Sequence, residues 1–252
     1  MKLDSREYQC QLDRLRFPDR RTGIQAFFAF VRDFDPHVTL HTNKRKDTEF
    51  EEYFFDTAGG DIAEHQVHLR VRVFLDHISC THKAIARDRY CLKKMRVGCS
   101  AKDATIKLEE DIYGYHSMFA WEMTCNQPLG KRFATVGDWA KLFAGTEDVC
   151  PTDMPLVAGS SRFFYQVAQI EIHFDEHKKN KKHKAPATLE LKYDDAGHQK
   201  LLAVEFAWKH IESAEEFAAN QVRRMRQFFA ALYRSPWADA SSDLAKCQAQ
   251  RL

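Results

Sequence analysis

Polar and apolar residues alternate along much of this chain, which is the pattern of β-strands that bury one face. In residues 6–13, Glu7, Gln9 and Gln11 alternate with apolar residues that face the other way. The same period, or a strand-like composition, predicts further strands at residues 49–56, 65–76, 89–97, 104–113, 162–175, 188–193 and 201–209. The sequence therefore predicts eight strands, most of them charged on one face.

Helical spacing of apolar residues appears near both ends of the chain. A cap-like Thr22 leads into a phenylalanine-rich stripe that predicts a helix ending before Pro36. Ser213 and Glu216 have the spacing of a capping box, and the apolar stripe behind them predicts a helix that continues to about Tyr233. We expect these two helices to cover a sheet.

Residues 115–160 interrupt the strand pattern with scattered aromatic side chains and three prolines. They predict a helical or irregular insertion with a short helix near residues 136–143. A chain of 252 residues is long enough for one large core. We therefore expect a single domain over residues 1–235, followed by a flexible tail at residues 236–252.

Composition narrows the class of protein. The net charge is only +2 from 38 basic and 36 acidic residues, so any preference for anions must come from the placement of the basic side chains. The seven cysteines contain no C-x-x-C pair, which is typical of reduced thiols rather than of a zinc knuckle or a disulfide framework. No apolar run approaches the roughly 20 residues that cross a bilayer. We expect a cytoplasmic protein without a membrane partner, and the oligomeric state stays open.

Dense mixed charge on one face of most strands is unusual for a β-sandwich, whose inner faces are dry. An α+β fold accounts for it: an antiparallel eight-stranded β-barrel with apolar residues outward beneath covering helices and a charged, wet interior. Eight residues are the predicted lining: Arg70, Arg72, Lys107, Glu109, Glu171, Glu190, Lys192 and Glu205. An open sheet with helices on its apolar face is the alternative.

The segment from residue 53 to residue 73 carries the most specific chemistry. Arg70 and Arg72 are two residues apart on a predicted strand, so their guanidinium groups lie roughly 6–7 Å apart on one face. Arginine binds phosphate through a fork of N–H donors, and this spacing matches adjacent phosphates. A solvated strand face is the ordinary explanation of the same pattern.

An aromatic pair, Asp56-Thr57, a short turn, Ile62 and then residues 69–72 (Leu-Arg-Val-Arg) together resemble the second-strand signature of the CYTH superfamily, the triphosphate tunnel metalloenzymes. The order of predicted elements agrees over roughly residues 6–233. The resemblance implies hydrolysis of an inorganic, nucleoside or thiamine triphosphate with Mg²⁺ or Mn²⁺ inside a charged β-tunnel. A nucleotidyl cyclase of the same family is an alternative that the sequence leaves open.

The resemblance also implies roles for individual residues. The implied phosphate-binding residues are Arg70, Arg72, Lys94, Lys107, Arg162 and Lys192. The implied metal ligands are Glu7, Glu109, Glu171, Glu190 and Glu205. Glu171 and Glu190 are also candidates to orient a water molecule, and His173, or alternatively His68, is a candidate general acid.

The first strand departs from the family pattern. The family begins with Glu-x-Glu-x-Lys, whereas this chain has Glu7 followed by Gln9 and Gln11. A glutamine binds magnesium only weakly through its carbonyl oxygen and cannot replace an ammonium group. A nucleotide- or polyphosphate-binding module with altered catalysis is therefore a second hypothesis.

Residues 177–184 (His-Lys-Lys-Asn-Lys-Lys-His-Lys) form a strongly basic segment between two predicted strands. The pattern is typical of a solvated hairpin tip. The sharper alternative is a patch that recruits nucleic acid or polyphosphate, which gives RNA binding as a third hypothesis; the near-neutral net charge argues modestly against it.

Overall fold

The computed structural model of the chain describes residues 2–42, 47–114, 116–175, 182–211 and 219–239. The strands are β1 (Ser5–Leu12), β2 (Val38–Thr42), β3 (Thr48–Asp56), β4 (Val67–Val73), β5 (His77–Ala86), β6 (Gly98–Cys99), β7 (Thr105–Tyr113), β8 (His116–Pro128), β9 (Phe143–Ala144), β10 (Val157–Ala158), β11 (Phe163–Asp175), β12 (Lys182–Tyr193) and β13 (Leu201–Ile211). The helices are α1 (Arg20–Phe34), α2 (Asp61–Glu64), α3 (Val136–Ala140) and α4 (Ala219–Leu232).

Hydrogen bonds join eleven of the described strands in the order β10-β3-β4-β5-β8-β7-β1-β13-β12-β11-β2. An additional pairing of β3 with β11 closes nine of them into a mixed β-barrel, so the fold class is α+β. The prediction of a barrel is confirmed in this form, and the open sheet is excluded. The predicted count of eight strands and the purely antiparallel arrangement are wrong.

The difference in strand number has a local origin. Residues 77–86 and 116–128 form β5 and β8, although the sequence pattern predicted neither strand. Residues 89–97, predicted as a strand, instead contain a 3₁₀ turn at Cys91–Lys94. The side-chain carboxylate of Asp88 accepts a hydrogen bond from the backbone N–H of Tyr90 at 2.9 Å, and this local bond favours a turn over a ladder.

The chain divides into two compact units. The first unit comprises residues 1–6, 50–111 and 117–164, and the second comprises residues 7–49, 112–116 and 165–252. Each unit has its own set of buried side chains.

In the first unit, one face of the β3-β4-β5-β8 sheet is apolar. Leu69, Val71 and Cys80 lie there and pack with Trp139 and Phe143, both fully buried, from the segment that follows β8. Helix α3 begins with a capping box between Thr135 and Asp138, which confirms the short helix predicted near residues 136–143. Residues 116–128 belong to the sheet rather than to an irregular insertion.

In the second unit, helices α1 and α4 bring aromatic rings onto the sheet. Phe229 of α4 stacks on Phe206 of β13 with ring centroids 5.6 Å apart, and Phe27 of α1 meets the same ring edge-on at 5.2 Å. Asp19, not Thr22, caps α1, because its carboxylate accepts the backbone N–H of Thr22 at 2.8 Å.

The segment after Pro236 begins with a buried side chain, since Trp237 is only 6% exposed and packs against Phe30 of α1. The predicted start of the last helix at Ser213, the tail beyond residue 239 and most of the lysine-rich segment 177–184 lie outside the described residues. None of the described helices is long and apolar enough to cross a membrane.

Candidate functional site

The candidate site is built on the polar face of the sheet in the first unit. Residues paired directly across antiparallel strands point to the same side, so the register of the strands defines that face. Three rows cross it: Glu52, Arg72, Ser79 and Asn126; Phe54, Arg70, Thr81 and Thr124; and His68, Lys83 and Glu122. We call this surface, together with the β7 residues that contact it, the charged face.

A buried carboxylate holds the two arginines. Oε2 of Glu52 lies 2.8 Å from Nε of Arg72 and 3.8 Å from Nε of Arg70. Glu52 is 3% exposed, whereas the two arginine side chains are 21% and 26% exposed. The ring of Phe50 supports Arg72 from below, with the guanidinium carbon 4.5 Å from the ring centroid. The arginines are therefore oriented by the fold and still reach solvent.

Lys83 joins the arginines to the carboxylates of the neighbouring strands. Its ammonium group lies 2.6 Å from Oδ2 of Asp111 and 3.8 Å from Oε2 of Glu122, and Glu122 also lies 3.7 Å from Arg70. Burial alone would lower the pKa of Lys83, but the two carboxylates outweigh burial and raise the pKa above its ordinary value. Lys83 is therefore a permanent cation at neutral pH.

Two acidic side chains of β7 extend the charged face. Glu109 and Asp111 are two residues apart, so they share a side of the strand, and they are 1% and 4% exposed. Glu109 accepts a hydrogen bond from the Ser5 hydroxyl at 3.1 Å. The second carboxylate oxygen of Asp111, Oδ1, is buried and has no hydrogen-bond partner among the described residues. A buried oxygen without a donor is the kind of atom that a cation satisfies.

Smaller polar groups fill the middle of the charged face. The Thr81 hydroxyl lies 3.4 Å from Nη2 of Arg70 and 3.2 Å from the hydroxyl of Thr124. Partial desolvation by its neighbours lowers the pKa of His68, and the charges of Lys83 and Arg70 lower it further. His68 is therefore a neutral imidazole at pH 7, which favours proton acceptance over proton donation.

A cavity of about 620 Å³ lies where β3 ends and β4 begins. Its lining is mainly apolar and includes Phe54, His68 and residues 157–160. The rings of Phe54 and His68 meet edge-on at 6.3 Å, and Phe54 is directly opposite Arg70 across β3 and β4. An aromatic surface thus adjoins the cations of the charged face.

Not every predicted residue of this unit joins the charged face. Lys107 shares the side of β7 that carries Glu109, but Lys94 is exposed on a 3₁₀ turn rather than on a strand. Arg162 lies on the opposite side of β3: its guanidinium covers the ring of Tyr53 at 3.7 Å and pairs with Glu51 at 3.5 Å. The structure therefore does not bring Arg162 together with Arg70 and Arg72.

The second unit has its own set of predicted residues. Glu190 and Glu205 are directly opposite each other on β12 and β13, and the Gln11 side-chain amide donates to Glu205 at 2.5 Å. Gln11, in the position of the family's lysine, thus supplies a neutral hydrogen bond. Glu7 lies 3.9 Å from Lys209.

Three further predicted residues of this unit, Lys192, His173 and Glu171, make aromatic or imidazole contacts. The Lys192 ammonium group lies 5.8 Å from the ring centroid of Tyr165. Nε2 of His173 lies 3.3 Å from Oε2 of Glu171.

Sequence reasoning missed several members of the charged face. Lys83 and Glu122 lie on β5 and β8, which the sequence pattern did not predict as strands. Glu52 was within a predicted strand, but nothing in its spacing distinguished it from Glu51. Glu52 could have been identified as the residue directly opposite Arg72 on the preceding strand. That step requires the register of the β3-β4 hairpin, which the sequence alone does not give.

Comparisons with known proteins give a likeness of fold at low identity. No protein-family model matches the chain, and no curated protein matches it. A solved structure of a candidate adenylyl cyclase from Hippeastrum, described as having a dominant triphosphatase activity, is 12% identical with a TM-score of 0.45, over 92% of this chain and 89% of that chain. A candidate adenylate cyclase from Bacillus halodurans is 9% identical with a TM-score of 0.44, over 90% of this chain and 92% of that chain. At these values, the function of this chain rests on its own residues.

Proposed function

We propose that this protein binds a triphosphate on the charged face and hydrolyses it with the help of a divalent cation. One observation carries the proposal: Arg70, Arg72 and Lys83 lie on a single sheet face and pair with the buried carboxylates of Glu52 and Asp111. Ion pairs that serve only stability are easily replaced by apolar residues of similar volume. Positively and negatively charged side chains held together on one rigid face suit a ligand that carries both phosphate groups and a metal ion.

The kind of divalent cation follows from the oxygen atoms that would bind it. Glu109 and Asp111 offer oxygen ligands on one side of β7, and the buried Oδ1 of Asp111 has no other partner in the described part of the chain. Oxygen ligands of this kind suit Mg²⁺ or Mn²⁺. When bound, such an ion would neutralise phosphate charge and lower the pKa of a water molecule.

The roles of the chain's own groups follow from their chemistry. Arg70 and Arg72 bind phosphoryl oxygens through charge-assisted hydrogen bonds, and Lys83 adds a fixed positive charge. The neutral imidazole of His68 accepts the proton of the attacking water as the new phosphorus–oxygen bond forms and the old one breaks. Phosphoryl transfer asks mainly for positioning and for charge stabilisation, which a rigid sheet supplies.

Roles in the second unit stay part of the proposal. Glu7, Glu171, Glu190 and Glu205 are proposed metal-binding or water-orienting residues, Lys192 a phosphate-binding residue and His173 a general acid. In the first unit, the resemblance assigns phosphate binding to Lys94, Lys107 and Arg162 as well, and this assignment stays a prediction. Each role is tested by substituting that residue alone.

The experiment measures phosphate release from inorganic triphosphate and from ATP, with Mg²⁺, with Mn²⁺ and with a chelator. Metal-dependent release of orthophosphate supports the proposal. Release of pyrophosphate with a cyclic nucleotide from ATP would identify the cyclase alternative instead. If neither product forms while triphosphate still raises the melting temperature, the protein is a binding module, in line with Gln9 and Gln11 on β1.

A further inference from the structure

Two imidazoles and a carboxylate lie together on the polar side of β11 in the second unit. Glu171 is directly opposite His41 on the neighbouring strand β2, and His173 is two residues further along β11. Directly opposed residues share a side of a sheet, and so do residues two apart on one strand. The backbone register thus fixes all three side chains on one side of two hydrogen-bonded strands.

The side chains are already in contact. The ring centroids of His41 and His173 are 4.3 Å apart, with the ring planes inclined by 40°. Nε2 of His173 lies 3.3 Å from Oε2 of Glu171. His173 is mostly covered, with 17% of its side chain exposed, whereas Glu171 is 40% exposed and His41 is exposed.

We propose that His41, His173 and Glu171 bind a transition-metal cation of the zinc class. Two imidazole nitrogens and one carboxylate oxygen are a ligand set for Zn²⁺, and three protein ligands leave a fourth position for water. Imidazole also suits Cu²⁺ and Ni²⁺, whereas Mg²⁺ takes oxygen ligands. This site therefore differs in chemistry from the all-oxygen donor set of the charged face.

Modest side-chain movement completes the site. The two rings are packed closer than two ligands around one ion would be, so His41 must turn away from His173. His41 and Glu171 are the more exposed members, and exposed side chains change rotamer within nanoseconds. His173, the covered member, keeps its place, and its contact with Glu171 orients the ring toward a shared ligand position.

The test is zinc binding to the full chain, measured by competition with a chromogenic chelator. We expect His41→Ala and His173→Ala each to weaken binding by at least about ten-fold, because each removes one nitrogen ligand. His116→Ala is the matched control, since that imidazole is exposed and outside the cluster. Cys91→Ser is the second control, because it removes an exposed thiol, which is the ordinary alternative ligand for zinc on this surface. Both controls are expected to bind as the native chain does.

A spectroscopic measurement counts the nitrogen ligands directly. With Cu²⁺ as the probe, electron paramagnetic resonance is expected to show coupling to two imidazole nitrogens in the native chain and to one in His41→Ala. Zinc affinity and copper coupling that stay unchanged in His41→Ala would overturn the proposal. If His173→Ala unfolds, His41→Ala alone decides, because its side chain is exposed. Triphosphate hydrolysis is measured separately in His41→Ala, because Glu171 and His173 also have proposed roles in hydrolysis and His41 has none. Loss of zinc binding with unchanged hydrolysis in this variant separates the two proposals.

Discussion

Arg72 and Glu52 are directly opposite each other on β4 and β3, and Nε of Arg72 donates to Oε2 of Glu52 at 2.8 Å. The same carboxylate oxygen lies 3.8 Å from Arg70, so one buried side chain orients both arginines. This relationship separates the charged face from a solvated strand face, because solvated arginines need no buried partner.

Glu52→Gln is expected to lower the free energy of unfolding by about 1–3 kcal/mol, since it removes the charge that pairs with two partly covered arginines. Triphosphate supplies replacement negative charge, so it should raise the melting temperature of this variant more than that of the native chain. Thermal melts with and without triphosphate check both effects. An equal shift in the two chains would contradict the role given to Glu52.

Lys83→Met is expected to destabilise the chain by about 3–5 kcal/mol, because it leaves Asp111 and Glu122 without their shared cation. The raised pKa of Lys83 means that its contribution is fully present below its ordinary pKa and is lost only as the pH rises through the raised value. Urea denaturation at pH 7 measures the loss. Lys102→Met, at an exposed position, should cost little.

His82 predicts a loss of stability in mild acid. It lies on the apolar face, is 1% exposed, and burial lowers its pKa from 6.5 to about 4. The folded chain therefore favours the neutral imidazole of His82. Its contribution to the free energy of unfolding is fully present above pH 6.5 and is lost as the pH falls toward 4, by up to about 3 kcal/mol.

The measurement is the free energy of unfolding from pH 7.5 to pH 4.5 for the native chain and for His82→Gln. Glutamine does not titrate and still reaches the Thr146 hydroxyl, which lies 3.2 Å from Nδ1 of His82. The variant should show a flatter pH dependence, and His116→Gln, at an exposed position, should not. If the free energy of unfolding changed equally with pH in all three chains, other groups would cause the loss of stability in acid.

The cysteines should differ in reactivity. Burial raises the pKa of Cys80 to about 12 and raises the pKa of Cys125 further, whereas Cys91 is exposed. Because the thiolate is the reactive form, alkylation of the native protein at pH 8 followed by peptide mapping should label Cys91 before Cys80 and Cys125. Rapid labelling of Cys80 under the same conditions would contradict its burial between the sheet and the segment after β8.

The arginine pair was predictable because a strand of alternating residues fixes which side chains share a face. β8 was not predictable in the same way, since its burial changes face along its length: Met118 and Ala120 are buried on one side, and Met123 and Cys125 on the other. Such a strand has no consistent period of two, so local patterning does not identify it. Without β8 and β5, the sequence could not place Lys83 and Glu122 beside Arg70.

Lys94 and Arg162 show where the same reasoning stops. Both were assigned by resemblance to positions in a family, but Lys94 lies on a 3₁₀ turn rather than on a strand, and Arg162 stacks on Tyr53 on the far side of β3. In each case, the charge of the residue and its order along the chain were similar to those of the family's basic residues. The side of the strand, which depends on tertiary pairing, was not available from the sequence.

The most direct test of the central claim compares kcat/KM for inorganic triphosphate in three chains: native, Arg70→Ala/Arg72→Ala and Arg96→Ala. Arg96 is a matched control, because it is exposed and pairs with Glu147 and Asp148 away from the charged face. We predict metal-dependent release that falls by at least about 100-fold in the double variant and is unchanged in the control. Equal activity in all three chains would contradict phosphate binding by the charged face.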